Sequence, residues 1–339
     1  MRPSGRSACA ALAALALGGG CGGDPAEPEP VATAIAITPA TATLEDAGET
    51  VQLTAKVTDQ KGQTMTDVEV AWSTDDSLVA EVSASGLVEG GESGKTTVRA
   101  SLPALAATAT VTVEPGPRAV LHAVHRKMNG DDWIFDLNWK TDAPLDTWHG
   151  VFTDTAGNVT TLALQNNGVA ARIAPEIGML RTLVVLSIYD NELTGPIPPE
   201  IGGLENLEVL TLFQNGLTGR IPPELGNLRN LRYLNLSRNE LTGAIPPEIG
   251  SLDGLDTLNL SRNELTGPVP PEIGNLRNLL QLKLDQNTLL SGRLPRELIG
   301  IPLVWFTWYE TDLCYPADQE FQRWLWGIRT HSGNRMCSS

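Results

Sequence analysis

The sequence predicts two folded parts in series, an all-β sandwich and then a solenoid of short repeats. Parallel strands should line one face of the solenoid and short helical turns the other. Three observations carry this. Asparagines recur every 24 residues at Asn167, Asn191, Asn215, Asn239, Asn263 and Asn287. Residues 31–115 are rich in Thr, Ala and Val with a period-two alternation, and Pro115, Gly116 and Pro117 form a stiff break between the two compositions.

Residues 1–21 have the form of an export signal. Arg2 and Arg6 give a positive start, Ala8 to Leu17 is a short apolar stretch, and Gly18, Gly19 and Gly20 precede Cys21. The stretch is too short to span a bilayer as a mature helix. It resembles a bacterial lipoprotein signal, which implies that Cys21 becomes the lipid-modified first residue. An ordinary secretory peptide ending near Gly23 is the alternative. Several acyl chains anchor a protein stably where a single one does not. Residues 22–30 contain DPAEPEP, an acidic, proline-rich composition that cannot form a core and acts as an extended spacer.

Within residues 31–115, Val51, Leu53, Ala55 and Val57, and later Ala107, Ala109, Val111 and Val113, alternate with polar neighbours as strands do. Val68, Val70 and Trp72 are expected on one strand face, and the glycines from Gly86 to Gly94 punctuate short strands. An antiparallel sandwich follows. The opening Ile35 to Pro39, Gly48 to Ala55, Trp72, Val82 to Val88 and the closing TVTV resemble a group 2 bacterial immunoglobulin-like domain. The segment contains no cysteine, so Trp72 must pack without an intersheet disulfide.

In residues 159–313 paired leucines such as Leu234 with Leu236, and Leu258 with Leu260, bury every second side chain of one short strand per coil. A single coil has no core, so neighbouring coils stabilise one another and the ends need caps. Each asparagine sits inside the bend after the strand, where its amide can satisfy backbone groups that the turn leaves unpaired. Leu-Thr-Gly segments turn the chain, and prolines such as Pro198 and Pro199 keep the outer face to short helical turns. The repeat resembles the plant-type leucine-rich repeat, LxxLxLxxNxLTGxIPxxIGxLxxL. The last full repeat carries an extra residue near Leu290. Trp305 to Tyr309 keeps the alternation but has Thr311 where Asn is due, and is expected to be the closing strand.

Residues 118–158 form the first cap: Val120, Leu121, Val124 and Met128 have helical spacing, and Trp133, Trp139 and Trp148 follow, a pattern resembling the N-terminal cap of such repeat proteins. Residues 314–339 form the second, with Phe321, Trp324, Leu325 and Ile328 on one face of an amphipathic helix between Cys314 and Cys337. The chain has four cysteines and two lie within the first 21 residues, so Cys314 and Cys337 are expected to pair. Closing that loop is worth roughly 3 to 4 kcal/mol in the chain-entropy model. A metal site is the rival reading, but two thiols without spaced partners make a poor one.

Nothing in the sequence assembles catalytic chemistry, a cofactor site or a metal site. His122 and His125 are spaced for a metal pair but lack a third ligand. Asp131 and Asp132 lack the alternating oxygen ligands of a calcium loop. A net charge of −16 excludes a general attraction to nucleic acid. What remains is the exposed strand face, where alternate residues point away from the core. Three columns should face solvent: Thr161, Val185, Val209, Tyr233, Thr257, Gln281, Trp305; Ala163, Ser187, Thr211, Asn235, Asn259, Lys283, Thr307; and Gln165, Tyr189, Phe213, Ser237, Ser261, Asp285, Tyr309.

Beside them runs Asp190, Gln214, Arg238, Arg262, Gln286, Glu310, positive in its middle. Tyr189, Phe213, Tyr233, Arg238, Arg262, Trp305 and Tyr309 are the candidate partner-binding residues, because aromatics and Arg dominate protein interfaces. The sequence thus predicts a noncatalytic, membrane-anchored surface protein that binds an extracellular or envelope protein. A glycan ligand held by the aromatics with Asn235 and Asn259, or a purely structural envelope role, is the alternative.

Overall fold

A computed structural model describes residues 29–44, 48–333 and 335–337. The signal segment, Cys21 and most of the acidic spacer lie outside the described residues. The chain divides into two compact units, one ending at Val113 and the other running on from Glu114.

The first unit is a small β-sandwich. One sheet joins Thr41–Leu44, Leu105–Val113, Gly94–Leu102 and Ala71–Thr74, a second joins Thr50–Gln52, Leu87–Gly90 and Ala80–Val82, and Ala32–Thr38 pairs with Thr54–Asp59. Leu53, Val88, Val98 and Val111 are fully buried between them, with Trp72 partly buried against the same core. Two expectations need correction. The sandwich is not wholly antiparallel, because Thr41–Leu44 runs parallel to Leu105–Val113. Val68 and Val70 precede the strand that carries Trp72, which begins at Ala71.

The second unit is a stack of coils with two parallel ladders. Its main sheet has nine strands: Val151–Thr153 pairs antiparallel with Val159–Ala163, and one strand per coil then follows in parallel from Val185–Ser187 to Thr330–Ser332. A second ladder runs from Thr194–Gly195 to Asp312–Cys314. Opposite the main sheet lie 3-10 turns such as Pro199–Gly203 and Pro223–Asn227, each with proline at the start, where its missing N–H costs nothing. Leu234, Leu236, Leu258 and Leu260 are fully buried in the shared core.

Close stacking sets one requirement that the repeated Gly column meets. A Cβ on Gly226 would lie 2.4 Å from the Glu248 carbonyl oxygen of the next coil.

The extra residue of the last full repeat is absorbed locally. Leu290 takes the buried position and Leu289 is expelled, 56% exposed. Trp305–Thr307 is not the closing strand, since Thr330–Ser332 adds beyond it in register. In the first cap, helix Pro117–Lys127 buries Val120, Leu121 and Val124. The three tryptophan indoles are each tied to a carbonyl, Trp133 to Met128, Trp139 to His149 and Trp148 to Ala143. In the second cap, helix Gln319–Gly327 is N-capped by Asp318, which accepts from the Phe321 N–H at 2.9 Å, and Phe321 and Leu325 face the core. Ile328 is buried just past the end of that helix. Cys314 and Cys337 are disulfide-bonded.

Candidate functional site

The asparagine column forms the spine behind the concave face. The residue before each asparagine from Asn191 to Asn287 lies in the left-handed region, with Asp190, Gln214, Arg238, Arg262 and Gln286 at φ between 55° and 59°. That turn drives the next side chain inward. The Asn239 amide then spans two coils: it donates to the Leu212 carbonyl of the preceding coil at 3.0 Å and to Leu236 at 3.0 Å, while its oxygen accepts from Leu217 N–H at 3.1 Å. Asn215, Asn263 and Asn287 repeat the pattern. Asn191 takes two N–H groups of the first coil, those of Asn167 and Val169, and donates to Leu164. Asn167 instead holds the cap, accepting from Phe135 N–H and donating to the Phe135 carbonyl. At the far end Thr311 bonds only within its own coil, to Trp308 and Leu313.

The concave face has three distinct parts. Towards the first cap, the Tyr189 and Phe213 rings stack at 4.4 Å between centroids with an interplanar angle of 11°. Val185, Val209 and Tyr233 lie alongside in the adjoining column, half-buried.

In the middle the expectation of an exposed surface fails. Thr211, Asn235, Ser237, Thr257, Ser261, Asp285 and Thr307 are all buried. Coils packed at sheet spacing leave short side chains sunk between longer neighbours. Their polar atoms also serve one another. The Asn235 oxygen accepts from the Ser237 N–H and hydroxyl at 3.1 and 2.7 Å, and Asn259 does the same for Ser261. Both amide oxygens that a sugar hydroxyl would seek are therefore occupied.

Towards the second cap, Lys283 places its ammonium 4.8 Å from the centre of the Trp305 ring, so that ring already holds a cation. The Thr307 hydroxyl donates to buried Asp285. The Asp285 carboxylate, acting by charge and by a hydrogen bond, also raises the Tyr309 hydroxyl above the ordinary phenol value. Along the lip, Arg238 and Arg262 are exposed, and Arg238 reaches Gln214, which itself bonds Asp190. The candidate residues thus fall into two groups rather than one: Tyr189, Phe213 and Tyr233 at one end, Trp305 and Tyr309 at the other, with the two arginines along the lip between them.

His122 and His125 belong to the cap's packing. His125 is buried against Trp133 and Trp139, at 5.0 and 5.7 Å between ring centres, and His122 stacks on Trp148 at 5.0 Å. Burial lowers both imidazoles below the ordinary histidine value, with Arg118 adding for His122 and Lys140 for His125. Asp131 pairs with Lys140. Among the described residues no cluster of three His, Cys, Asp or Glu could hold a metal ion, and no helix is long and apolar enough to cross a membrane.

Sequence reasoning missed the large apolar side chains that the cap leaves exposed, of which Phe152 extends the concave face. Phe152 lies in register with Thr161 and is 57% exposed, and the Phe135 ring packs 5.0 Å from His149. The edge-strand position of Phe152, directly before the first repeat, was the available signal.

Comparison with known proteins accounts for both units. Residues 31–113 match the bacterial Ig-like domain (group 2). Residues 220–300 match a leucine-rich repeat region, and 182–204 and 206–228 each match a leucine-rich repeat. No curated protein matches the chain. Among solved structures, the repeat ectodomain of the plant membrane receptor kinase GASSHO1/SCHENGEN3 from Arabidopsis thaliana, in complex with CASPARIAN STRIP INTEGRITY FACTOR 2, is similar at 33% identity and a TM-score of 0.59. The match covers 64% of this chain and 26% of that one. A plant ice-binding protein is similar at 28% identity and a TM-score of 0.55, covering 60% and 65%. The PEPR1–AtPEP1 structure is similar at 25% identity and a TM-score of 0.52, covering 59% and 32%. The chain therefore spans only part of each of these proteins. It combines a bacterial Ig-like domain with a leucine-rich repeat solenoid.

Proposed function

We propose that the chain is a noncatalytic surface protein, exported and lipid-anchored through Cys21, whose repeat unit binds a protein or peptide partner on its concave face in adhesion or recognition. The observation that carries this reading is the Tyr189–Phe213 stack. Two large rings, one repeat apart, lie parallel and half-buried on the concave face, beside Val185, Val209 and Tyr233. Core packing does not require them there, because the leucines beneath are already fully buried. Rigid aromatics with little conformational entropy left to lose are the usual anchors of protein interfaces. The similar plant ectodomain solved with its bound factor supports a protein or peptide ligand, and Arg238 and Arg262 on the lip would add charge selectivity. The immunoglobulin-like unit would serve as spacer.

The test is capture of extracellular proteins, and separately of glycans, by the wild-type chain and by the Tyr189→Ala, Phe213→Ala pair. Capture of a protein by the wild type alone supports the reading. Capture of glycans alone replaces it with a lectin role, and equal capture by both chains removes the stacked pair from the site.

A further inference from the structure

Ile134, Phe135 and Leu137 are 65%, 49% and 66% exposed, and Phe152 is 57% exposed. Four large apolar side chains thus stand in solvent within one cap whose tryptophans are buried. The first three lie on a segment that is held in place. Ile134 N–H donates to the Asn167 carbonyl at 3.0 Å, and the Asn167 amide grips Phe135 through both its backbone groups. His149 N–H donates to the Leu137 carbonyl at 3.0 Å. A clamped segment cannot fold its apolar side chains away, and a patch of this kind marks an interaction surface in a soluble protein.

The rim of the Ile134 to Leu137 segment is acidic. Asp131, Asp132 and Asp136 flank or interrupt it. Lys140 pairs with Asp131 and Asp136 and not with Asp132, and the chain as a whole carries −16. Carboxylates around an apolar patch repel an anionic lipid surface and favour a cationic partner.

We infer that this cap surface receives a protein segment in which apolar side chains are flanked by lysine or arginine. The inference rests on the partner-binding reading above and adds the partner's chemistry.

The probes are two synthetic peptides with one Leu-Phe-Leu centre, flanked by two lysines on each side or by two glutamates on each side, titrated into the full chain by fluorescence anisotropy at low and physiological salt. The expected result is binding of the lysine peptide at least about tenfold tighter than the glutamate peptide, weakened by salt. Phe135→Ser with Leu137→Ser should weaken it about tenfold, as loss of anchor residues does. Hydrogen exchange on the unmutated chain should show protection at residues 134–137, a readout independent of any variant. Equal binding of the two peptides, no binding of either, or lysine-peptide binding untouched by the cap variant overturns the inference. If that binding instead falls with Tyr189→Ala and Phe213→Ala, the concave-face reading stands and only the cap assignment fails.

Discussion

Asn206 and Arg181 are joined across two coils, the Asn206 amide donating to the Arg181 carbonyl at 2.9 Å. Asn230 does the same to Glu205 at 2.8 Å and Asn278 to Asp253 at 2.7 Å. These bonds make a second asparagine ladder at the turns that enter Val209–Thr211, Tyr233–Asn235 and Gln281–Lys283. Between its members it is broken at one coil, where Gly254 stands in the equivalent position.

Gly254→Asn should therefore stabilise the protein. A Cβ there would lie 3.5 Å from the Arg229 carbonyl oxygen, the acceptor that the ladder leaves free at this coil, and the backbone is not in the glycine-only region. The added hydrogen bond and the lower entropy of the unfolded chain together predict a gain of about 1 kcal/mol, read by denaturant or thermal unfolding. No change, or a loss, would show that the turn cannot accept the side chain.

Asn239→Ala should cost far more than an exposed substitution in the same coil. It leaves the Leu217 N–H without its acceptor inside the stack and removes one of the two donors to the Leu212 carbonyl, which keeps the Asn215 amide. A loss of about 1 to 3 kcal/mol is expected from leaving such a buried donor unsatisfied. Arg262→Ala, on the exposed lip, should stay within about 0.5 kcal/mol of wild type. Equal effects would contradict the role assigned to the ladder.

Acid should loosen the first cap before the rest of the repeat unit. His122 and His125 have folded pKa values below the ordinary 6.5, chiefly through burial, so the unfolded state binds protons more readily. The stability they leave intact is fully present above about pH 6.5 and declines as pH falls below that value. Arg118, Arg126 and Lys140 oppose protonation, whereas Asp131, Asp136 and Asp142 favour it. His125→Phe should flatten the decline between pH 7 and 5, measured as melting temperature against pH. An unchanged slope would assign the acid sensitivity elsewhere.

Much of this architecture is legible from the chain. A strict period, paired leucines and the Leu-Thr-Gly turns specify the strand, the bend and the inward asparagine, because each coil meets the same neighbours. Two things were not legible for physical reasons. Alternation tells which side a residue takes but not how deep it sits, so Ser237, Ser261 and Asp285 looked exposed and are buried. The first cap has no period, so Ile134, Phe135 and Leu137, interleaved with Trp133 and Trp139, could not be told from core residues. The ladder of Asn206, Asn230 and Asn278 was hidden because its members precede a leucine at a position that looked like ordinary surface.

The central claim is that a partner sits on the concave face over the Tyr189–Phe213 stack, and site-directed photocrosslinking tests it most directly. A photoreactive phenylalanine analogue in place of Phe213, and separately in place of exposed Glu224 on the convex turn, would be irradiated with extracellular proteins present. The account predicts a discrete crosslinked product from position 213 and none from position 224. A product from 224 alone, or the same products from both, would contradict it.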